Sequence, residues 1–177
     1  MLCAHPFILR PYRQSDAAEM SAAVRESTET VGRWMGWATP DYTDYDALCW
    51  FEYCNQSRAA GTAHEFGIFT NNDEFIGGCG LNEFSSINNL CNLGYWTRQS
   101  RQGTGAATSA VLALREFGLQ RLKLSRIEIV VAEGNMASVG VARKVGATHE
   151  CIAKNRLRVH GKPVAAHVFS FISAHDA

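Results

Sequence analysis

Apolar positions along the chain recur with two periods, and their alternation outlines the elements. Phe7-Ile8-Leu9-Arg10 reads as a first strand, followed by a helix from Asp16 to about Glu26. Asp16 and Glu19 have capping-box spacing at its start. A short helix is predicted over Thr28–Trp34, and Pro40 marks a break. Thr43 and Asp46 repeat the capping-box spacing, and Ala47, Trp50, Phe51 and Cys54 carry an apolar stripe towards Gly61. Glu65–Thr70 and Glu74–Phe84 read as strands joined by an Asn71-Asn72-Asp73 turn. Gly77, Gly78 and Gly80 fall inside the second of these. Glycines there either weaken the strand or let a neighbour approach its backbone.

The second half is more regular. Leu90–Thr97 is strand-like, Ala107–Leu119 has helical spacing, and Arg126–Ala132 is the most strand-like run in the chain. A helix runs from Asn135 to near Val145 with Gly146 at its C-cap, and a hairpin of 147–159 and 164–172 closes the chain. Strand, helix, strand implies a right-handed parallel crossover. The expected fold is α/β: one domain, 1–177, with a central mixed, mostly antiparallel twisted sheet of about seven strands. One parallel pair splays apart, flanked by helices. No repeat, linker or low-complexity segment interrupts it.

Candidate chemistry concentrates where Leu90–Thr97 gives way to the next helix. Gly103 and Gly105 lie at that junction. A helix start offers unpaired N–H groups and the positive end of the macrodipole, and glycine lets a phosphate oxygen come close. A tight turn that binds nothing is the plain alternative. A P-loop would need a Lys after the glycines, and a dinucleotide fingerprint a third glycine at Thr108; neither is present. The parallel pair diverging beyond this loop leaves main-chain groups on its inner edges for an extended, amide-bearing molecule.

Gln102, Gly105 and Ala107 match Gln/Arg-x-x-Gly-x-Gly/Ala, and here the chain resembles the GNAT superfamily of acetyl-CoA-dependent N-acyltransferases. Leu93-Gly94-Tyr95-Trp96 and Asn135-Met136-Ala137-Ser138, running on to Ala147, extend the likeness. Together they are similar to the RimJ/RimL type, which acetylates ribosomal-protein N-termini. The resemblance implies a GNAT-like fold with acetyl-CoA as cosubstrate. Tyr95, Trp96 and Thr97 would pair with the pantetheine arm. Gln102, Gly103, Thr104, Gly105, Ala106 and Ala107 would hold the pyrophosphate. Thr104 stands where a basic residue is frequent, and Ala106 where the side chain is usually larger.

Other roles stay open at this level. Asn135 is an N-cap, a cofactor contact, or both. Ser138 is an unremarkable helix serine or the proton donor to the departing thiolate. Arg101, Arg143 and Lys144 pair with phosphates or face solvent. Trp34 and Trp37 anchor a loop or, by the resemblance, wall the acceptor pocket. Glu83 and Glu150 are the candidate bases, against an ordinary surface role. The implied acceptor is a primary amine, first a protein N-terminus and second a small amine such as an antibiotic or aminoacyl nucleotide. A dimer is implied at the family level only.

Charge and cysteine content narrow the partners. Lys plus Arg and Asp plus Glu both number 17, so net charge is zero and a basic nucleic-acid binder is disfavoured. No run approaches a membrane span, and Met1–Pro6 lacks signal-peptide character, so a cytoplasmic protein is expected. The six cysteines form no Cys-x-x-Cys pair and have no His at ligand spacing. They read as reduced, mostly buried thiols with no metal; Cys91 is the one to watch, being on the strand beside the proposed cofactor.

Overall fold

The computed structural model describes residues 1–173. Its strands are β1 (Leu2–Ala4), β2 (Phe7–Arg10), β3 (His64–Thr70), β4 (Phe75–Ser85), β5 (Leu90–Thr97), β6 (Arg126–Ala132), β7 (Thr148–Val159) and β8 (Lys162–Ile172). The helices are α1 (Ala17–Glu26), α2 (Asp44–Ala60), α3 (Ala106–Glu116) and α4 (Met136–Lys144). The strands form one sheet in the order β1-β2-β3-β4-β5-β6-β8-β7. Among the described residues only β5 and β6 pair in parallel. The eighth strand relative to the sequence reading is β1, three residues long and too short for any periodicity to show.

Each sheet face buries one set of helices. Ala106, Ala110, Val111 and Leu114 of α3 join Val139 and Ala142 of α4 in a core against Phe66, Leu81, Leu93 and Ile127. On the other face Met20, Ala23 and Val24 of α1 meet Ala47, Phe51 and Cys54 of α2. The glycines of β4 serve close approach: a side chain at position 77 would run into the Trp96 carbonyl, and one at 78 into the Trp96 and Tyr12 side chains.

Two local expectations are corrected. Residues 28–34 form successive turns rather than a helix, because the N–H groups of Thr30, Val31 and Gly32 all converge on the Ser27 carbonyl. The Asp16–Glu19 capping box does not form. Asp16 instead accepts the Arg13 N–H at 2.7 Å and both terminal nitrogens of Arg10, while Glu19 accepts the Phe75 N–H at 2.9 Å. The Thr43–Asp46 box forms, and α2 ends on Gly61 at φ 70°.

Glu26, at the end of α1, ties that helix to the segment following β5. It accepts from Arg98 at 2.7 and 3.0 Å and from the Ser100 hydroxyl and N–H at 2.7 and 3.1 Å. The Arg98 bonds first, then those from Ser100, hold its carboxyl down at about 2 against an ordinary 4.5. A carboxyl depressed on folding stabilises fully above its unfolded value and loses that contribution as pH falls from about 4.5 to about 2. Glu26→Gln should therefore lower stability at pH 7 by about 1–2 kcal/mol, allowing for solvent screening. It should also flatten the acid limb over that interval, read by urea denaturation across pH. An unchanged acid limb would show that Glu26 does not set it.

Candidate active site

β5 and β6 pair only at Leu90–Arg126, Cys91–Ile127 and Asn92–Glu128. Beyond them β5 stays bonded to β4 as far as Thr97, and β6 to β8 as far as Ala132. Their facing edges part, and a cavity of about 800 Å³ fills the split. It is lined by 92–97 of β5, 129–132 of β6, the glycine loop, the start of α3 and the inner side of α4.

Gly103 and Gly105 have φ of 76° and 89°, a region that disfavours side chains. Gly105 is the N-cap of α3 and has no side chain to cap with, so the first turn's N–H groups gain none from that position. Nothing lies within 4 Å of where a Cβ would stand at 103 or 105. The helix's positive end thus opens beside the cavity with its backbone accessible. The loop is braced from behind. The Thr104 hydroxyl donates to the Arg101 carbonyl at 2.8 Å, the Gln102 amide to the Thr97 carbonyl at 3.4 Å, and Arg101 pairs with Glu74 at 2.5 Å.

Across the cavity the Tyr95 hydroxyl meets the Ser138 hydroxyl at 2.8 Å and donates to the Ser138 carbonyl at 3.2 Å. These bonds link β5 to α4. Burial pushes the Tyr95 phenol up to about 12, partly offset by Ser138. Asn135 caps α4, accepting the Ser138 N–H at 3.3 Å, and also lines the cavity.

A second cavity, of about 520 Å³, lies on the α1–α2 side of the sheet. Its wall is aromatic: Tyr12, Trp37, Tyr42, Trp50, Tyr53 and Trp96 all line it. The two candidate tryptophans divide between the cavities. Trp34 lines the first, while Trp37 lines the second and packs edge-on against Trp96 with centroids 5.5 Å apart. Glu65, which the sequence reading passed over as the start of a strand, is buried and lines the second cavity too. No local pattern signals it, since Gly80 comes to lie opposite it only through the β3–β4 register.

Other expected residues lie elsewhere. Glu83 sits exposed at φ 51° in the irregular stretch between Asn82 and Ser85, lining neither cavity. Glu150 is committed to Arg126 and Ser170, which hold its carboxyl down at about 2, a poor setting for a base at neutral pH. Arg143 and Thr104 do not line the first cavity, whereas Lys144 and Arg101 do. Cys91 is fully buried, and burial pushes its thiol up to about 12, so it is not a reactive thiol. Three of the six cysteines (Cys3, Cys49 and Cys151) are exposed, more than expected. Among the described residues no three His, Cys, Asp or Glu side chains are placed to hold a metal, and no helix is long and apolar enough to cross a membrane.

A mixed sheet split at one parallel pair, with a glycine-opened helix beside the split, defines an acetyltransferase of the GNAT class. Residues 7–148 match the acetyltransferase (GNAT) domain, and the chain belongs to that family. It is 27% identical over 147 residues to the uncharacterized N-acetyltransferase p20 of Bacillus licheniformis, covering 77% of this chain and 83% of that protein. Two solved structures share the fold. RimJ of Mycobacterium smegmatis, in complex with CoA-disulfide, superposes with a TM-score of 0.88 at 23% identity over 98% of this chain and 85% of that one. RimL, the ribosomal L7/L12 alpha-N-protein acetyltransferase in complex with coenzyme A, gives 0.86 at 23% identity, covering 97% and 96%.

Proposed function

We propose that this N-acetyltransferase moves the acetyl group of acetyl-CoA to a primary amine by direct attack in a ternary complex. The first-choice acceptor is the α-amine of a protein N-terminus. The observation that carries the donor is the accessible backbone at Gly103 and Gly105 beside the split. The RimL and RimJ structures that share the fold hold coenzyme A or its disulfide.

In this reading the Gly103–Ala107 amides hold the pyrophosphate, and the parted edge of β5 at Tyr95–Thr97 pairs with the pantetheine amides. Gln102 steadies the loop, and Asn135 faces the same arm. The acceptor nitrogen must be neutral to attack. An α-amine with pKa of about 8 is roughly a tenth neutral at pH 7, so it needs little deprotonation. A β5 N–H stabilises the oxyanion as the C–N bond forms. The C–S bond then breaks, and Ser138, hydrogen-bonded to Tyr95, gives its proton to the thiolate and takes the nitrogen's surplus proton in its place.

A thiol with pKa near 8.5 leaves with little help, so Ser138 contributes modestly. Ser138→Ala should lower kcat about 10-fold and leave acetyl-CoA affinity unchanged. Tyr95 keeps its bond to the Ser138 carbonyl, so packing is preserved. Steady-state rates with calorimetric binding check this, and an unaltered kcat would remove Ser138 from the mechanism. The reading as a whole is tested with a panel of amines and peptides, following free-thiol release from acetyl-CoA. Tight binding with no turnover on any amine would make the chain a coenzyme A-binding module instead.

A further inference from the structure

The sheet face beneath α1 and α2 carries a carboxylate that the donor site does not use. Glu65, Gly80 and Gly94 are register partners across β3, β4 and β5. The two glycines leave a lane without side chains, and the Glu65 carboxylate lies along it. A side chain at position 80 would collide with both its oxygens. The lane ends at Gly94, which lines both cavities.

Glu65 is only 7% exposed. Its Oε1 accepts the Asn82 amide at 2.9 Å, while Oε2 has no hydrogen-bond donor among the described residues. A carboxylate can only accept, so Asn82 must turn its Nδ2 towards Glu65. Its Oδ1 then accepts the Asn92 amide at 2.9 Å. Asn82 lines the aromatic cavity and Asn92 the larger one, so this polar chain runs along the floor between them. Among the described residues no Lys or Arg makes an ion pair with the Glu65 carboxylate. Arg58 reaches its main-chain carbonyl instead and stacks over Phe66. A largely buried carboxylate with one amide donor and no ion pair, in the wall of an aromatic cavity, gains from a cation that enters that cavity.

We infer that Glu65 receives the amine of the acceptor. The acceptor is then a primary amine borne on a compact apolar or aromatic body, which fills the cavity walled by Trp37, Tyr42, Trp50 and Trp96. This rests on the acetyl-transfer reading above and narrows its acceptor. The ammonium hydrogen-bonds Oε2 and passes one proton to Glu65. The neutral nitrogen attacks the acetyl carbon, the C–S bond breaks, and the nitrogen's second surplus proton reaches the thiolate through the site's hydroxyls. Glu65 returns its proton to solvent. Burial raises the Glu65 carboxyl, with Asn82 and Arg58 opposing, which brings it nearer the range of a useful base. Tyr12, Cys54 and Cys79 are pushed up by burial, Arg58 stays charged, and Asp46, which also lines the cavity, has its carboxyl lowered by Thr43.

Free phenethylamine and a peptide beginning with Phe carry the same chemistry from two sources, and spermidine serves as a polar comparison. Thiol release from acetyl-CoA is followed for the wild type, Glu65→Gln and Glu65→Asp, with thermal unfolding to verify folding. The wild type should favour phenethylamine or the Phe peptide over spermidine at least about 10-fold in kcat/KM, and whichever is faster identifies the source. Glu65→Gln should lower kcat/KM for that amine about 100-fold at pH 7. The acetyl-CoA KM should not move, and the deficit should narrow at pH 9, where more amine is already neutral. Glu65→Asp should fall between. A wild type that turns over amines while Glu65→Gln matches it would overturn this inference and leave acetyl transfer standing. Preference for spermidine would overturn the apolar acceptor. Acetyl-CoA binding without thiol release for any amine would instead defeat the proposed function itself.

Discussion

Gly105→Val is expected to weaken acetyl-CoA binding at least about 100-fold, equivalent to about 2.7 kcal/mol, in a protein that still folds. Gly105 has φ 89°, so a β-branched residue there carries strain of about 1–3 kcal/mol. That strain alone does not account for lost binding; the direction of the new side chain does. Nothing lies within 4 Å of the Cβ position, so a valine would project into open space at the N-cap of α3, beside the cavity. A diphosphate must occupy that space to reach the first amides of α3. Gly105→Ala should be intermediate, with the same strain class and a smaller obstruction. Calorimetric titration of folded variants with acetyl-CoA reads the effect, and wild-type affinity in the valine variant would move the phosphate site elsewhere.

The largest effect on stability should come from Asp16→Ala. Arg10 and Asp16 pair at 2.7 Å with side chains only 7% and 9% exposed. The guanidinium also lies 3.4 Å from the Phe69 ring centroid, which fixes it in place. Removing Asp16 leaves that cation buried, with the exposed Asp73 as its one remaining ion-pair partner among the described residues. It also frees the Arg13 N–H that Asp16 accepts. Breaking one partner of a buried pair costs about 3–5 kcal/mol. Removing both, as Arg10→Met with Asp16→Ala, should cost less than Asp16→Ala alone, because no uncompensated charge remains. Urea denaturation of the three proteins decides, and equal losses in the single and double variants would refute the argument.

Much of this architecture is legible in the chain because the features that announce it are local. Arg126–Ala132 is a strand with the bounds its alternation gives, and the Thr43–Asp46 cap and the Asn71–Asp73 turn are where their residues predict. The glycine loop lies at the strand–helix junction for the same reason. Non-local outcomes are harder to read. Asp16 has the look of an N-cap, yet Arg10 claims it once β2 is in the sheet. Residues 28–34, read as a short helix, fold as turns about Ser27. Glu65 is invisible because its setting depends on Gly80, Asn82 and Gly94, which lie far along the chain and meet it only across three strands. Glu83, chosen for its place near a strand end, is carried to the outside by the irregular pairing after Asn82.

Among the described residues, the ladder between the five-strand and three-strand plates of the sheet has only three register pairs. A seam so short makes the molecule's rigidity depend on what spans the gap above it. The Tyr95–Ser138 contact is one small clasp, and any tenant bonded to both plates would be a far larger one. Resistance to unfolding would then rise with the supply of that tenant, so a starved cell would hold a softer protein than a fed one.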